Sequence, residues 1–119
     1  MGLYSDISGD IYTNLDGYKA LYQECSDWLP CVSQLLDVGT PGTCTAKDVD
    51  VRNMENGGIR IEFCDTYMNL TKFLEAGIEA LFDADPDADV DVMDVCTDGM
   101  KAADKWVTGE GGLVHQSIR

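Results

Sequence analysis

The residues with the most chemistry per position are the aspartates of Asp83-Ala84-Asp85-Pro86-Asp87-Ala88-Asp89-Val90-Asp91-Val92-Met93-Asp94. No Lys or Arg occurs from Phe73 to Met100, and Glu75 and Glu79 add two acids upstream. Carboxylate oxygens at alternate positions are what a hard divalent cation, Ca2+ or Mg2+, coordinates. Asp83, Asp85, Asp87, Asp89 and Asp94 are the candidate metal ligands on that reading. The same segment can instead face a basic protein. Glu75, Glu79, Asp83, Asp85, Asp87, Asp89, Asp91 and Asp94 are then the candidate partner-binding residues. A third reading needs no ligand: a helix ends at Phe82, a solvated turn follows, and Asp89 or Asp91 caps the next helix, where carboxylates interact favourably with the helix dipole.

In the register that starts at Asp83, the run resembles the calcium loop of the EF-hand family. Asp83, Asp85 and Asp87 take the first, third and fifth positions, Val90 the apolar eighth, Asp91 the ninth and Asp94 the twelfth. The resemblance implies a helix on each side of the loop and a bound cation. The run departs from the family at Ala88, where a glycine normally makes the turn and a Cβ costs about 1–2 kcal/mol. It departs again at Asp94, one methylene shorter than the family's Glu, and at Pro86. No second loop of this kind occurs in the chain.

The whole composition leans the same way. Of 119 residues, 22 are Asp or Glu and 8 are Lys or Arg, for a formal net charge of -14. Residues 61–119 hold 13 of the acids and four of the bases, which predicts one negative face in the C-terminal half. A chain this acidic is repelled by DNA, RNA and anionic lipid, so direct nucleic-acid binding is not expected and a basic protein surface is. No apolar run reaches the ~18–20 residues of a membrane span. The N-terminal Met1-Gly2-Leu3-Tyr4-Ser5-Asp6 lacks the basic start and apolar stretch of a secretory signal. The five cysteines, Cys25, Cys31, Cys44, Cys64 and Cys96, are odd in number and contain no Cys-x2-Cys pair. Reduced thiols in a cytoplasm (the host cytoplasm, for a viral protein) are the expectation.

Enzyme signatures are sparse. The one histidine, His115, follows the Gly-rich stretch Gly109-Glu110-Gly111-Gly112, which argues against a Ser-His-Asp or Cys-His arrangement. Neither a phosphate-binding Gly-rich loop nor a Gly-x-Ser-x-Gly elbow is present. The expectation is a protein that is not an enzyme and uses no cofactor beyond a cation.

The elements that would position these acids read as one α+β domain over 1–119, in the order α-α-β-β-α-α with a central β-hairpin packed on helices. Ile11, Leu15, Tyr18, Leu21 and Tyr22 recur at helical spacing, and Ser26-Asp27 offers a cap for a second helix through Trp28, Pro30, Leu35 and Leu36. Val49, Val51, Ile59, Ile61 and Phe63 alternate on either side of Asn56-Gly57-Gly58, a hairpin signature. Tyr67, Leu70, Leu74, Ile78 and Leu81 return to the helical period, widened by Phe73 and Phe82. Val92, Val95, Cys96, Met100, Ala103 and Trp106 suggest a last helix, and 107–119 reads as a polar, Gly-rich tail. Tyr12 and Tyr22 are the aromatics expected to stay partly exposed.

Small size, acidity and the missing catalytic motifs resemble, in outline, phage-encoded DNA mimics, anti-CRISPR proteins and nuclease immunity proteins. The resemblance implies an inhibitor that sets carboxylates into the basic groove of a nucleic-acid-binding partner such as a nuclease. Two alternatives are a structural subunit of a viral or phage particle (neck or tail), acting as a homo-oligomer or in a larger assembly, and an EF-hand-like cation-binding protein. Salt adaptation, with 16 Asp against 6 Glu, would explain the charge without a partner.

Overall fold

The computed structural model describes residues 5–26, 28–37, 42–46, 49–54, 57–68, 71–96, 103–109 and 111–118. Its elements run β1 (Ser5–Thr13), α1 (Leu15–Cys25), α2 (Val32–Asp37), β2 (Gly42–Ala46), β3 (Val49–Asn53), β4 (Ile59–Met68), α3 (Thr71–Ala84), β5 (Asp89–Cys96), β6 (Ala103–Gly109) and β7 (Gly112–Ile118). The strands form one antiparallel sheet in the order β2-β3-β4-β1-β5-β6-β7.

The chain is α+β, but the expected α-α-β-β-α-α order is overturned: among the described residues seven strands and three helices replace two strands and four helices. Ile11, read as the start of a helical stripe, lies inside a strand, opposite Ile61 on one side and Val90 on the other. The last predicted helix is two strands. Val92 meets Trp106 and Val95 meets Ala103 through the β5–β6 register, so their apparent helical spacing is cross-strand pairing. The alternation Asp89-Val90-Asp91-Val92 is a strand signal hidden by aspartate, a residue depleted in strands. Residues 107–109 complete β6 and 112–118 form β7, so most of the supposed tail is sheet. The second helix begins at Val32, two residues after Pro30. Asp27, Asn56, Leu70 and Met100 lie outside the described residues, as do the side chains of Leu36, Cys44, Cys64, Tyr67, Phe73 and Cys96.

The hairpin is present as β3–β4, with Asn53 opposite Ile59. Met54 N–H donates to Gly58 O at 2.8 Å, and Gly57 holds φ +83°, a backbone conformation natural to glycine. Val49, Val51, Ile59, Ile61 and Phe63 are buried. The centre of the sheet, however, is β1, flanked by β4 and β5.

One face of the sheet carries the core. Ile7, Ile11, Val51, Ile61, Val92 and Trp106 pack with Tyr18 and Leu21 of α1 and Leu74, Ile78 and Leu81 of α3. Each fully buried aliphatic side chain there contributes about 1.5–3 kcal/mol. Asn14 caps α1 by accepting from Gly17 N–H at 2.8 Å, and Asp16 suits the dipole of the first turn. Gly77 lets α3 approach α1, since a Cβ there would lie 2.6 Å from Leu21 Cδ1. The molecule measures 42 × 32 × 19 Å. Its short dimension is that of one sheet and one layer of helices, so among the described residues the other face of the sheet is uncovered.

Candidate functional site

On that uncovered face the strand registers assemble a line of carboxylates. Asp50 of β3 lies opposite Glu62 of β4, Glu62 opposite Asp10 of β1, and Asp10 opposite Asp91 of β5. The line continues to Val107 on β6 and Val114 on β7. The adjacent row reads Arg52, Arg60, Tyr12, Asp89. Arg60 leans back onto the first row, 2.9 Å from Asp10 Oδ2 and 3.2 Å from Glu62 Oε2. All three side chains remain partly exposed, so these ion pairs add little stability. Together the two rows hold five carboxylates and two guanidinium groups.

A hollow of about 460 Å³ opens between the rows, lined by Asp10, Tyr12, Arg60, Asp89, Asp91 and Val107 among others. Gly9 makes the close strand contact beneath it possible. Its φ is +117°, and a Cβ would lie 2.0 Å from the Asp91 carbonyl oxygen. The register shift opposite Ile7 and Gly9 puts its extra residue on β4, while Gly9 leaves no side chain between Ile7 and Ile11, which hid the strand in the sequence.

The eight acids proposed from the sequence are not one surface. Asp89 and Asp91 are exposed on the open face. Glu75, Glu79 and Asp83 are exposed on α3, and Asp87 in the turn after it. The single negative face expected of the C-terminal half is therefore divided between helix and sheet. Asp85, 7 % exposed, is a clasp. Its Oδ2 accepts from Thr13 Oγ1 and Asn14 N–H, both at 2.9 Å, and its Oδ1 from Asp87 N–H at 3.2 Å. It thus ties the end of α3 to the β1–α1 junction. Asp94, 3 % exposed, is on the helix-covered side.

The helix-loop-helix frame implied by the EF-hand resemblance is absent. Ala84 ends α3, four residues follow, and β5 begins at Asp89. Strand alternation then sends Asp89 and Asp91 to one face and Asp94 to the other. Among the described residues no three His, Cys, Asp or Glu side chains form a metal-ligand group.

One constellation was not expected from the sequence. On the helix-covered side, Asp104 Oδ1 accepts from Ser117 Oγ at 2.7 Å and lies 3.0 Å from His115 Nε2. His115 stacks on Trp106 with centroids 4.8 Å apart, and its Nδ1 is 4.0 Å from Glu75 Oε1. The signal available was the two-residue step from His115 to Ser117, which puts both on one face of a strand. A carboxylate only accepts, so Nε2 carries its proton toward Asp104. A serine nucleophile needs a histidine nitrogen that accepts its proton. Here Ser117 and His115 both converge on one carboxylate oxygen, an arrangement that ties β6 to β7 and brings α3 against them.

The thiols differ by position. Burial, with a smaller contribution from Glu24, pushes the Cys25 thiol up to about 12. Cys31 is drawn below the ordinary thiol value by its 3.1 Å contact with Ser33 Oγ. No helix is long and apolar enough to cross a membrane among the described residues. Comparison with known proteins adds no relative: no family model matches the chain, nor does any curated protein or solved structure.

Proposed function

We propose that the protein is an acidic binding module that sets its uncovered sheet face against a basic protein surface, blocking a partner that handles nucleic acid. The observation that supports this is the line Asp50–Glu62–Asp10–Asp91 on a face with no helical cover among the described residues. Like charges directly opposite one another in a sheet destabilise it, a cost that Arg60 offsets at Asp10 and Glu62. Strands are spaced ~4.8 Å apart, and one DNA strand carries a charge every ~3.4 Å of axis. The line therefore offers a basic groove something close to the charge spacing of a phosphate backbone. Complementary charge of this kind accelerates association and weakens as salt rises.

The test is capture of host-cell proteins retained on a phosphate-bearing column, using the immobilised chain and a variant with Asp50→Lys, Glu62→Lys and Asp91→Lys. The wild-type protein should retain a basic nucleic-acid-binding protein and release it between about 0.05 and 0.5 M salt, as the Debye length shrinks. The variant should retain none of it while keeping its circular dichroism spectrum. Retention by both proteins alike, or by neither, refutes the reading.

A further inference from the structure

The open face changes character along the same rows that carry the acids. Beyond Asp91 the first row ends in Val107 and Val114. The next row toward the other end of β5 runs Met93, Lys105, Gln116, and the one after it begins Val95, Ala103. The exposed large hydrophobic residues Met93 (38 %), Val95 (39 %) and Val114 (47 %) all lie on this half of the face. The acids are over β3, β4, β1 and β5; the apolar groups are over β5, β6 and β7. The apolar half borders β7, the last strand of the sheet.

An edge strand presents a row of unpaired backbone donors and acceptors, and proteins guard such edges with lysine, proline, bulges or short length. β7 has seven residues, Gly-Leu-Val-His-Gln-Ser-Ile, with no proline, lysine or carboxylate. Every interior strand of this chain carries at least one Asp or Glu. For a molecule of net charge -14 the choice matters, because two copies repel everywhere except where the meeting surfaces are free of acid. The opposite edge, β2, also lacks carboxylates, but it adjoins the acidic half and has five residues.

The geometry points to self-association: β7 pairs antiparallel with β7 of a second copy, about a two-fold axis normal to the sheet. Such an isologous contact joins two seven-stranded sheets into one. It keeps both open faces on the same side and brings the Val114 rows of the two copies together, with Val107 of each one strand further out. An apolar strip then runs down the middle of a sheet ~67 Å wide at the usual strand spacing, with an acidic wing on either side. The acidic wings of two copies repel one another, so the neutral edge is where a second copy of this chain can meet the first. This inference stands apart from the proposed function, since it requires no partner.

The experiment is sedimentation velocity on the full chain from about 10 μM to 1 mM, a range that brackets weak dimers, at low and high salt. A monomer–dimer equilibrium should shift to dimer with concentration. It should also tighten as salt screens the repulsion between two chains of like charge, opposite in sign to the salt effect expected for a basic partner. Val114→Lys and, separately, Gln116→Lys should each weaken the dimer at least tenfold. Hydrogen exchange should show β7 amides gaining protection with concentration in the wild-type protein, which keeps the test available should either variant fail to fold. The row variant Asp50→Lys, Glu62→Lys, Asp91→Lys should dimerise at least as well as wild type, which separates this inference from the partner reading. A monomer under all conditions, a dimer indifferent to both β7 variants, or a dimer loosened by salt overturns it.

Discussion

The two faces of the sheet use the same residue type in opposite ways. On the covered face, Asp85 accepts three hydrogen bonds, and Asp104 accepts from Ser117 and His115. On the open face, Asp50, Glu62, Asp10 and Asp91 stand side by side with one arginine between them. A buried carboxylate is stable only when its lone pairs are met, and removing it leaves donors unpaired. An exposed carboxylate beside its like costs stability that solvent and salt only reduce. Covered acids therefore hold the fold, while open acids burden it slightly and gain their value from what they meet.

The largest expected effect breaks the covered side. Asp85→Ala strands the Thr13 hydroxyl and the Asn14 and Asp87 amides, of which the first two meet one oxygen at 2.9 Å. Hydrogen bonds to a charged group contribute about 1.5–3 kcal/mol each and are not additive, so a loss of about 3 kcal/mol is expected in urea unfolding. Asp85→Asn, which keeps an acceptor, should lose less. If Asp85→Ala unfolded at the wild-type urea concentration, the clasp would contribute nothing and the contrast between faces would fail.

How far this division was legible in the sequence depends on what gathers the residues. The hairpin was legible because Val49, Val51, Ile59, Ile61 and Phe63 alternate around a glycine turn, and α3 because Leu74, Ile78 and Leu81 keep the helical period. Tyr12 and Tyr22 are half-buried as expected, but Tyr12 owes this to the open face of β1 and not to a helix flank. β1 was not legible, because Gly9 leaves no apolar side chain between Ile7 and Ile11 to show the alternation. β5 was not, because aspartate reads as loop or cap before it reads as strand. Asp89 and Asp91 were singled out by local density. Asp50, Glu62 and Asp10 were not, since only pairing across β3, β4, β1 and β5 brings them into line. Nor does residue type separate Asp85 from Asp87: the burial of the first follows from where α3 ends against the β1–α1 junction.

A smaller effect of opposite sign tests the open side. Asp91→Asn removes one member of the carboxylate line, where Asp91 faces Asp10 on the neighbouring strand. Like charges directly opposite cost a few tenths of a kcal/mol to about 1 kcal/mol, so the variant should be more stable by about 0.5 kcal/mol. The gain should disappear in about 1 M salt, where the Debye length falls to ~3 Å. Urea unfolding of both proteins at low and high salt measures it. A destabilised Asp91→Asn at low salt would mean that the line is part of the scaffold, and the distinction between holding acids and presenting acids would collapse.

The smallest effect carries the contrast to the thiols. Cys25 is buried where the end of α1 meets Gly77 of α3 and its thiol is pushed up to about 12, whereas Cys31 lies nearer the surface and is drawn down by Ser33. Alkylation depends on the thiolate and on access, so Cys31 should be modified in the folded protein while Cys25 waits for unfolding, as peptide mapping would show. The same shift has a stability consequence. A group whose pKa is raised on folding stabilises the fold fully below its unfolded value, and that contribution is lost as pH rises toward the folded one. For Cys25 the window opens above the ordinary thiol value of 9.0 and closes near 12. Unfolding the wild-type protein and Cys25→Ala across that range should show wild type losing more stability per pH unit. Equal slopes, or Cys25 alkylated as fast as Cys31, would mean that the helix layer does not seal the covered face, and the contrast would then rest on carboxylates alone.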